Sequence, residues 1–278
     1  MTGVRRADKL RNAARLLWPW LLRPHAPLEK WAYARGWLST QGLRLPDFLC
    51  LGAQKAGTTW LHRNLAAHPE VYLPPGRKEL RFFDQRFYLS VREYAALFEA
   101  AGQRRTGDIT PNYGALPSSR IAFVRALLPG VRLILILRDP VERAWSHALM
   151  DLATSRGRAP AAVADWEWVA HFRSRGSRRN GEYAAMLARW RARFPEPQLL
   201  VSFYDDLRDR PRELLARVFR HLGISDRVEW SRLPHAERIH GGPALAIPEA
   251  HRALLRELYR PDLERLADEF AEPVRSWL

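Results

Sequence analysis

Three things are scarce in this chain. It has one cysteine, Cys50, so no intrachain disulfide can form, and the sequence predicts a reducing, cytoplasmic setting. Only four of its 45 basic residues are lysines: Lys9, Lys30, Lys55 and Lys78. It also lacks a long apolar run. The stretch at 16–22 is broken by Pro19, whereas a helical membrane span needs roughly 20 apolar residues. That stretch is also too short for a signal peptide and has no small-residue cleavage site after it. A disulfide scaffold and a helical membrane bundle are therefore not expected.

What is present suits a folded enzyme. The chain has 278 residues, 47% of them hydrophobic, enough for one large α/β domain with an appendage. The formal net charge of +15 favours polyanionic partners, whether nucleic acid, anionic lipid or a phosphorylated nucleotide. Charge does not choose among these. Placement is more informative, because Lys55 and Lys78 fall inside the motifs below.

Residues 1–45 are basic, Trp-rich and without a strand pattern, and they read as an appendage to a domain over 46–278. Residues 1–23 are a candidate contact with an anionic membrane surface. The domain opens with a continuous apolar run, Phe48-Leu49-Cys50-Leu51-Gly52, as a buried parallel strand would. A helix is expected over 58–68, further helices over 91–101 and 121–128, and the strongest strand over 131–137. Helices over 140–152 and 183–194, a strand over 198–203, a helix over 212–222 closed by Gly223, and a long helix over 248–270 complete the pattern. Residues 154–162 and 224–247 look irregular. Alternating strands and helices predict an α/β, P-loop-like three-layer fold, with a central parallel sheet flanked by helices. Ligands in such folds bind at the carboxyl ends of strands.

Both main motifs lie just after strands. In Gly52-Ala-Gln-Lys55-Ala56-Gly57-Thr58-Thr59-Trp60, the glycines permit close backbone approach and the helix start presents free N–H groups. This is a phosphate cradle but not a Walker A loop, because Thr58 stands where that motif has lysine. Lys55, inside the loop, would instead approach the bridging oxygen of a bound group. The strand at 131–137 ends in Arg138, a cation where a Walker B strand would offer an acid to Mg²⁺. The sequence accordingly gives no reason to expect a metal. Arg138 and Ser146, two helical turns apart, can converge on one anion.

These motifs resemble those of the sulfotransferases that use 3′-phosphoadenosine-5′-phosphosulfate (PAPS), especially the carbohydrate-modifying branch. The resemblance spans roughly residues 46–270. It implies that Lys55, Ala56, Gly57, Thr58, Thr59 and Trp60 hold the 5′-phosphosulfate, and that Arg138 and Ser146 hold the 3′-phosphate. Arg143 is a weaker candidate for that phosphate, since a solvent-facing position is equally consistent with the pattern. Arg77-Lys78-Glu79-Leu80-Arg81-Phe82-Phe83 is similar to a family segment whose Glu takes the acceptor's proton. This makes Glu79 the expected base, Lys55 the leaving-group stabiliser and Lys78 a second cation near the sulfuryl group. Asp108, in Gly107-Asp108-Ile109-Thr110-Pro111, is the rival base or a residue orienting the acceptor. A nucleotide-binding loop of the family has no clear counterpart here, and Arg238 is its nearest substitute.

The expected activity is sulfuryl transfer from PAPS, released as PAP, to a hydroxyl or amine of a carbohydrate, glycolipid or other hydroxylated acceptor. A P-loop kinase or NTPase is the alternative, weakened by the missing Walker residues. A nucleic-acid-binding protein is a further alternative, but helix-turn-helix, zinc and RNA-reading patterns are missing, so no nucleic-acid partner is expected. Nothing in the sequence sets the oligomeric state.

Overall fold

The computed structural model describes residues 26–237 and 245–278. In chain order the first half contains α1 (Ala26–Ala34), β1 (Phe48–Gly52), α2 (Thr58–Ala66), β2 (Val71–Tyr72), α3 (Val91–Ala96), β3 (Arg105–Ile109) and α4 (Ser118–Leu127). Then come β4 (Arg132–Leu137), α5 (Pro140–Ala148), α6 (Asp165–Arg173), α7 (Arg175–Arg179) and α8 (Tyr183–Arg191). The chain continues through β5 (Leu199–Phe203), α9 (Tyr204–Asp209), α10 (Pro211–Leu222) and α11 (Glu249–Ala267).

Every residue of β1 is buried, which demands a strand on each edge and cover on both faces. The sheet supplies this with the order β2-β3-β1-β4-β5, all parallel. The expected three-layer α/β architecture is thus the observed one. From β1 the chain builds first toward β3 on one side and then crosses to β4 on the other. The carboxyl ends of β1 and β4 therefore flank the point where the strand order reverses, where open α/β sheets form their binding crevice.

Some boundaries differ from the sequence expectation. The helix expected over 91–101 stops at Ala96, and its apolar face continues through Phe98 into a 3₁₀ turn at Glu99–Ala101. The helix expected over 140–152 ends at Ala148 and widens into a π turn at Leu149–Ala153. The long last helix contains Pro261 and runs unbroken over Glu249–Ala267. Residues 1–25 lie outside the described part, and with them the proposed membrane contact. Within the stretch expected to be an appendage, α1 packs against α4. Ala26, Lys30 and Tyr33 of α1 are buried, and Lys30 Nζ donates to the Leu89 carbonyl at 2.5 Å. Burial, against the pull of Glu29, lowers the Lys30 ammonium to about 8. No helix among the described residues is long and apolar enough to cross a membrane.

One packing constraint at the sheet centre is severe. Phe48 of β1 lies over Gly107 of β3, its register partner, and a Cβ at position 107 would come 2.1 Å from the Phe48 ring. Gly107→Ala is expected to cost about 1–3 kcal/mol by overpacking. That corresponds to a fall in melting temperature of roughly 2–4 °C per kcal/mol, measurable by calorimetry.

Candidate active site

The loop after β1 is shaped by two close approaches. Gly52 has φ 131°, and a Cβ there would sit 2.4 Å from the Pro111 carbonyl oxygen. Gly57, at φ 86°, precedes α2, and a Cβ there would meet Leu207 Cδ1 at 2.4 Å. Between them Lys55 occupies the left-handed region at φ 68°, which is uncommon for a residue with a side chain. The turn brings Lys55 beside the carboxyl end of the sheet and starts α2 at Thr58. The first-turn N–H groups of α2 have no partners within the helix.

Two ammonium groups meet at this cradle. Lys78 Nζ donates to Thr58 Oγ1 at 3.1 Å. Lys55 Nζ lies 3.7 Å from Met150 Sδ. Both lysines are pushed below their ordinary pKa, Lys55 by burial and then by the charge of Arg138, Lys78 by burial against the opposing pull of Glu79. Each has an acidic neighbour, Glu79 for Lys78 and Asp151 for Lys55, that offsets only part of the cost of burial. An anion seated in the cradle would offset more of that cost.

Glu79 stands beside Lys78, with Oε1 3.6 Å from Nζ. Its other oxygen, Oε2, accepts from Arg81 Nε at 3.1 Å and Nη2 at 2.6 Å. A chain of hydrogen bonds fixes this segment from beneath. The Arg81 N–H donates to Thr110 Oγ1 at 3.2 Å, and Thr110 Oγ1 donates to Asp108 Oδ1 at 2.7 Å. Asp108 Oδ2 accepts from Tyr94 at 2.8 Å and Tyr113 at 2.7 Å. Asp108 is 1% exposed, and burial pushes its carboxyl up to about 6 despite these hydroxyl donors.

The second loop is tied to the first. Arg138 Nη1 donates to the Lys55 carbonyl at 3.0 Å, and the guanidinium lies 4.8 Å from the centre of the Tyr204 ring. Its own carbonyl accepts from the Tyr183 hydroxyl at 2.8 Å. Asp139 caps α5 by accepting from the Val141 N–H at 2.8 Å, and Pro140 follows as the first helical residue. Ser146 is half-buried farther along α5. Arg143 does not face solvent. It is fully buried and donates through Nη2 to the Ser177 carbonyl at 2.9 Å and the Tyr259 hydroxyl at 3.1 Å.

The fold therefore gathers Lys55, Ala56, Gly57, Thr58, Thr59, Lys78, Glu79 and Arg138 around the adjacent carboxyl ends of β1 and β4. Trp60 is buried and spends its indole N–H on the His235 carbonyl at 2.9 Å, which leaves only its backbone to face the cradle. Arg238 lies outside the described residues. Tyr204 and Arg81 escape a sequence reading, since an aromatic under a guanidinium and a clamp on Glu79 follow no spacing rule. A cavity of about 480 Å³ opens at the opposite, amino ends of the strands, lined by Arg44, Asp47, Phe48, Arg105 and Arg132 among others. There Arg44 and Arg105 already pair with Asp47, at 3.4 and 3.6 Å, so the polar groups are turned to one another.

Known proteins resemble this chain in sequence and in fold. Human bifunctional heparan sulfate N-deacetylase/N-sulfotransferase 2 is 24% identical over 281 residues, covering 84% of this chain and 31% of that protein. The Mus musculus N-deacetylase/N-sulfotransferase 4 is 28% identical over 274 residues, with the same coverage of 84% and 31%. The chain thus spans about a third of the length of these relatives. The crystal structure of a sulfotransferase from Alicyclobacillus acidocaldarius superposes with a TM-score of 0.66 at 24% identity, over 84% of this chain and 98% of the other, a likeness of fold. The profile of the sulfotransferase domain matches residues 45–233, more than half of the chain and both motif loops, and the chain accordingly belongs to the sulfotransferase domain family.

Proposed function

We propose that this chain transfers a sulfuryl group from PAPS to a hydroxyl or amine of a carbohydrate or glycolipid acceptor. The observation that carries the reading is the convergence of Lys55, the start of α2 and Arg138, through the bond from Arg138 to the Lys55 carbonyl. The donor supplies a sulfuryl group on a phosphate leaving group, with a second phosphate at its 3′ position. Lys55 and the first N–H groups of α2 take the 5′ end. Arg138 and Ser146 take the 3′-phosphate, the feature that separates this donor from ATP. Arg138 spends Nη1 on the Lys55 carbonyl, and Nη2, now 3.9 Å from Glu142 Oε2, is the donor that would turn to the phosphate.

Glu79 takes the acceptor's proton while the acceptor oxygen or nitrogen bonds to sulfur and the bond from sulfur to the bridging oxygen breaks. Lys55 stabilises the charge that grows on that oxygen, and Lys78 stands by the sulfuryl oxygens. The products are the sulfated acceptor, PAP and a proton on Glu79. In this reading Asp108 is a positioning residue rather than the base. Its oxygens are occupied by three hydroxyls, and through Thr110 it fixes the backbone that carries Glu79. A carbohydrate acceptor is supported by the names of the heparan sulfate relatives. A cleft of about 410 Å³ lined by Arg173, Arg175, Arg178, Arg179 and Glu182, with Arg178 paired to Glu182 at 3.0 Å, keeps an excess of positive charge that suits an anionic glycan. A cytoplasmic location fits the single buried Cys50.

Isothermal titration tests the donor. Charged hydrogen bonds contribute about 1.5–3 kcal/mol each, so PAP is expected to bind at least about tenfold more tightly than ATP. Equal or tighter ATP binding would overturn the reading. Glu79→Gln is expected to lower kcat by about 10²–10⁴ while PAP binding persists. Full turnover in that variant would remove Glu79 as the base. Because burial lowers the pKa of Lys55 and Lys78, PAP affinity should be greatest where both are charged. It should then fall as pH rises, before the ordinary lysine value of about 10.4 is reached. Titrations across that range in matched ionic strength measure the fall.

A further inference from the structure

Behind Lys55 lies a group of side chains that the transfer reaction does not use. His147 belongs to α5, Asp151 to the π turn that follows it, and His171 to the last turn of α6. His147 Nε2 is 3.2 Å from Asp151 Oδ2, and His171 Nε2 is 3.1 Å from the same oxygen. The ligand atoms all lie within 4.8 Å of one another, and among the described residues this is the only such group of three. The imidazole rings meet edge to face, with centroids 4.7 Å apart. Each Nδ1 is enclosed without a hydrogen-bond partner, so in both rings Nε2 is the nitrogen turned toward the shared oxygen.

We propose that His147, Asp151 and His171 form a three-ligand site for a divalent cation of the zinc class. At metal–ligand lengths of about 2.0–2.2 Å, neighbouring ligand atoms stand roughly 3.0–3.5 Å apart, the separation both nitrogens keep from Asp151 Oδ2. Two imidazoles and one carboxylate suit zinc, cobalt or nickel better than magnesium or calcium, which prefer oxygen ligands. Access is open, because the Asp151 side chain is 41% exposed. Three protein ligands leave a coordination position for water or another small ligand.

The site would act on the fold around the cradle. A cation shared by α5, the π turn and α6 would pin the turn whose Met150 packs against Lys55 Nζ. Lys55 Nζ lies against Met150, the residue next to Asp151, and Arg143 stands one turn before His147 on α5, so two positive charges flank a cation bound there. Affinity should therefore be moderate in the empty protein. It should rise once an anion at Lys55 compensates one of those charges, a step that rests on the proposed donor site.

The test uses the full untagged chain, titrated with Co²⁺ and Zn²⁺, with and without saturating PAP. The expected result is one Co²⁺ per chain, with the visible absorption of a low-coordinate ion that Zn²⁺ displaces, and a higher melting temperature in Zn²⁺. Asp151→Ala, at a half-exposed position, and His171→Ala should each weaken Zn²⁺ binding by at least about tenfold, with circular dichroism unchanged. If His171→Ala fails to fold, Asp151→Ala carries the test alone. No stoichiometric binding with or without PAP would overturn the proposal, as would binding that Asp151→Ala leaves intact. Binding of Zn²⁺ by a chain that ignores PAP would keep the metal site and count against the donor reading instead.

Discussion

The site depends on one hydrogen bond, from the Arg138 guanidinium to the Lys55 carbonyl. It joins two loops that leave adjacent strands and are far apart in sequence. Lys55 holds a backbone conformation that side chains seldom adopt, and a charged donor on its carbonyl fixes that turn. Arg138 is in turn held by Tyr183 at its carbonyl and by Tyr204 against its guanidinium. The cations are thereby placed before any ligand arrives, and the sheet meets the cost of holding like charges together. Preorganisation of this kind makes electrostatic stabilisation of a transition state effective.

A second assembly does the same for the acid side. Asp108 is a buried carboxylate whose charge is spread over three hydroxyls. Breaking that network would leave a buried acid unpaired, a far larger penalty than the net worth of any one of its bonds. The network therefore acts as a rigid footing for the backbone at Arg81, and Arg81 reaches back to Glu79. Two carboxylates that look alike in the sequence end in opposite environments, one enclosed and one at the cleft.

Much of this could be read from the sequence. Phe48–Gly52 and Arg132–Leu137 are unbroken apolar runs, and unbroken runs are what a doubly covered parallel strand requires. The motifs after them sat where the fold places binding loops. The two-residue β2 carries too little pattern to be seen. The burial of Arg143 was hidden because its partners, Ser177 and Tyr259, come from distant helices. The His147–Asp151–His171 group was invisible for the same reason, since a π turn and a separate helix bring it together. Local chemistry is written in spacing, whereas convergence across elements is written only in the packing.

The contact between Gly57 and Leu207 carries a consequence for how such a protein can vary. The glycine that opens α2 is pressed by a leucine on α9, the helix that also brings Tyr204 under Arg138. A larger residue at 57 would displace the Leu207 side chain and crowd the Tyr204 ring, whose carbons lie 3.4 and 3.5 Å from a Cβ placed there. Position 57 is thus constrained from two directions, by its own backbone angle and by Leu207 of the helix whose Tyr204 stacks on Arg138. Ancestral or designed variants of this loop are expected to change residues 57, 204 and 207 as a set, so the two loops share one evolutionary fate.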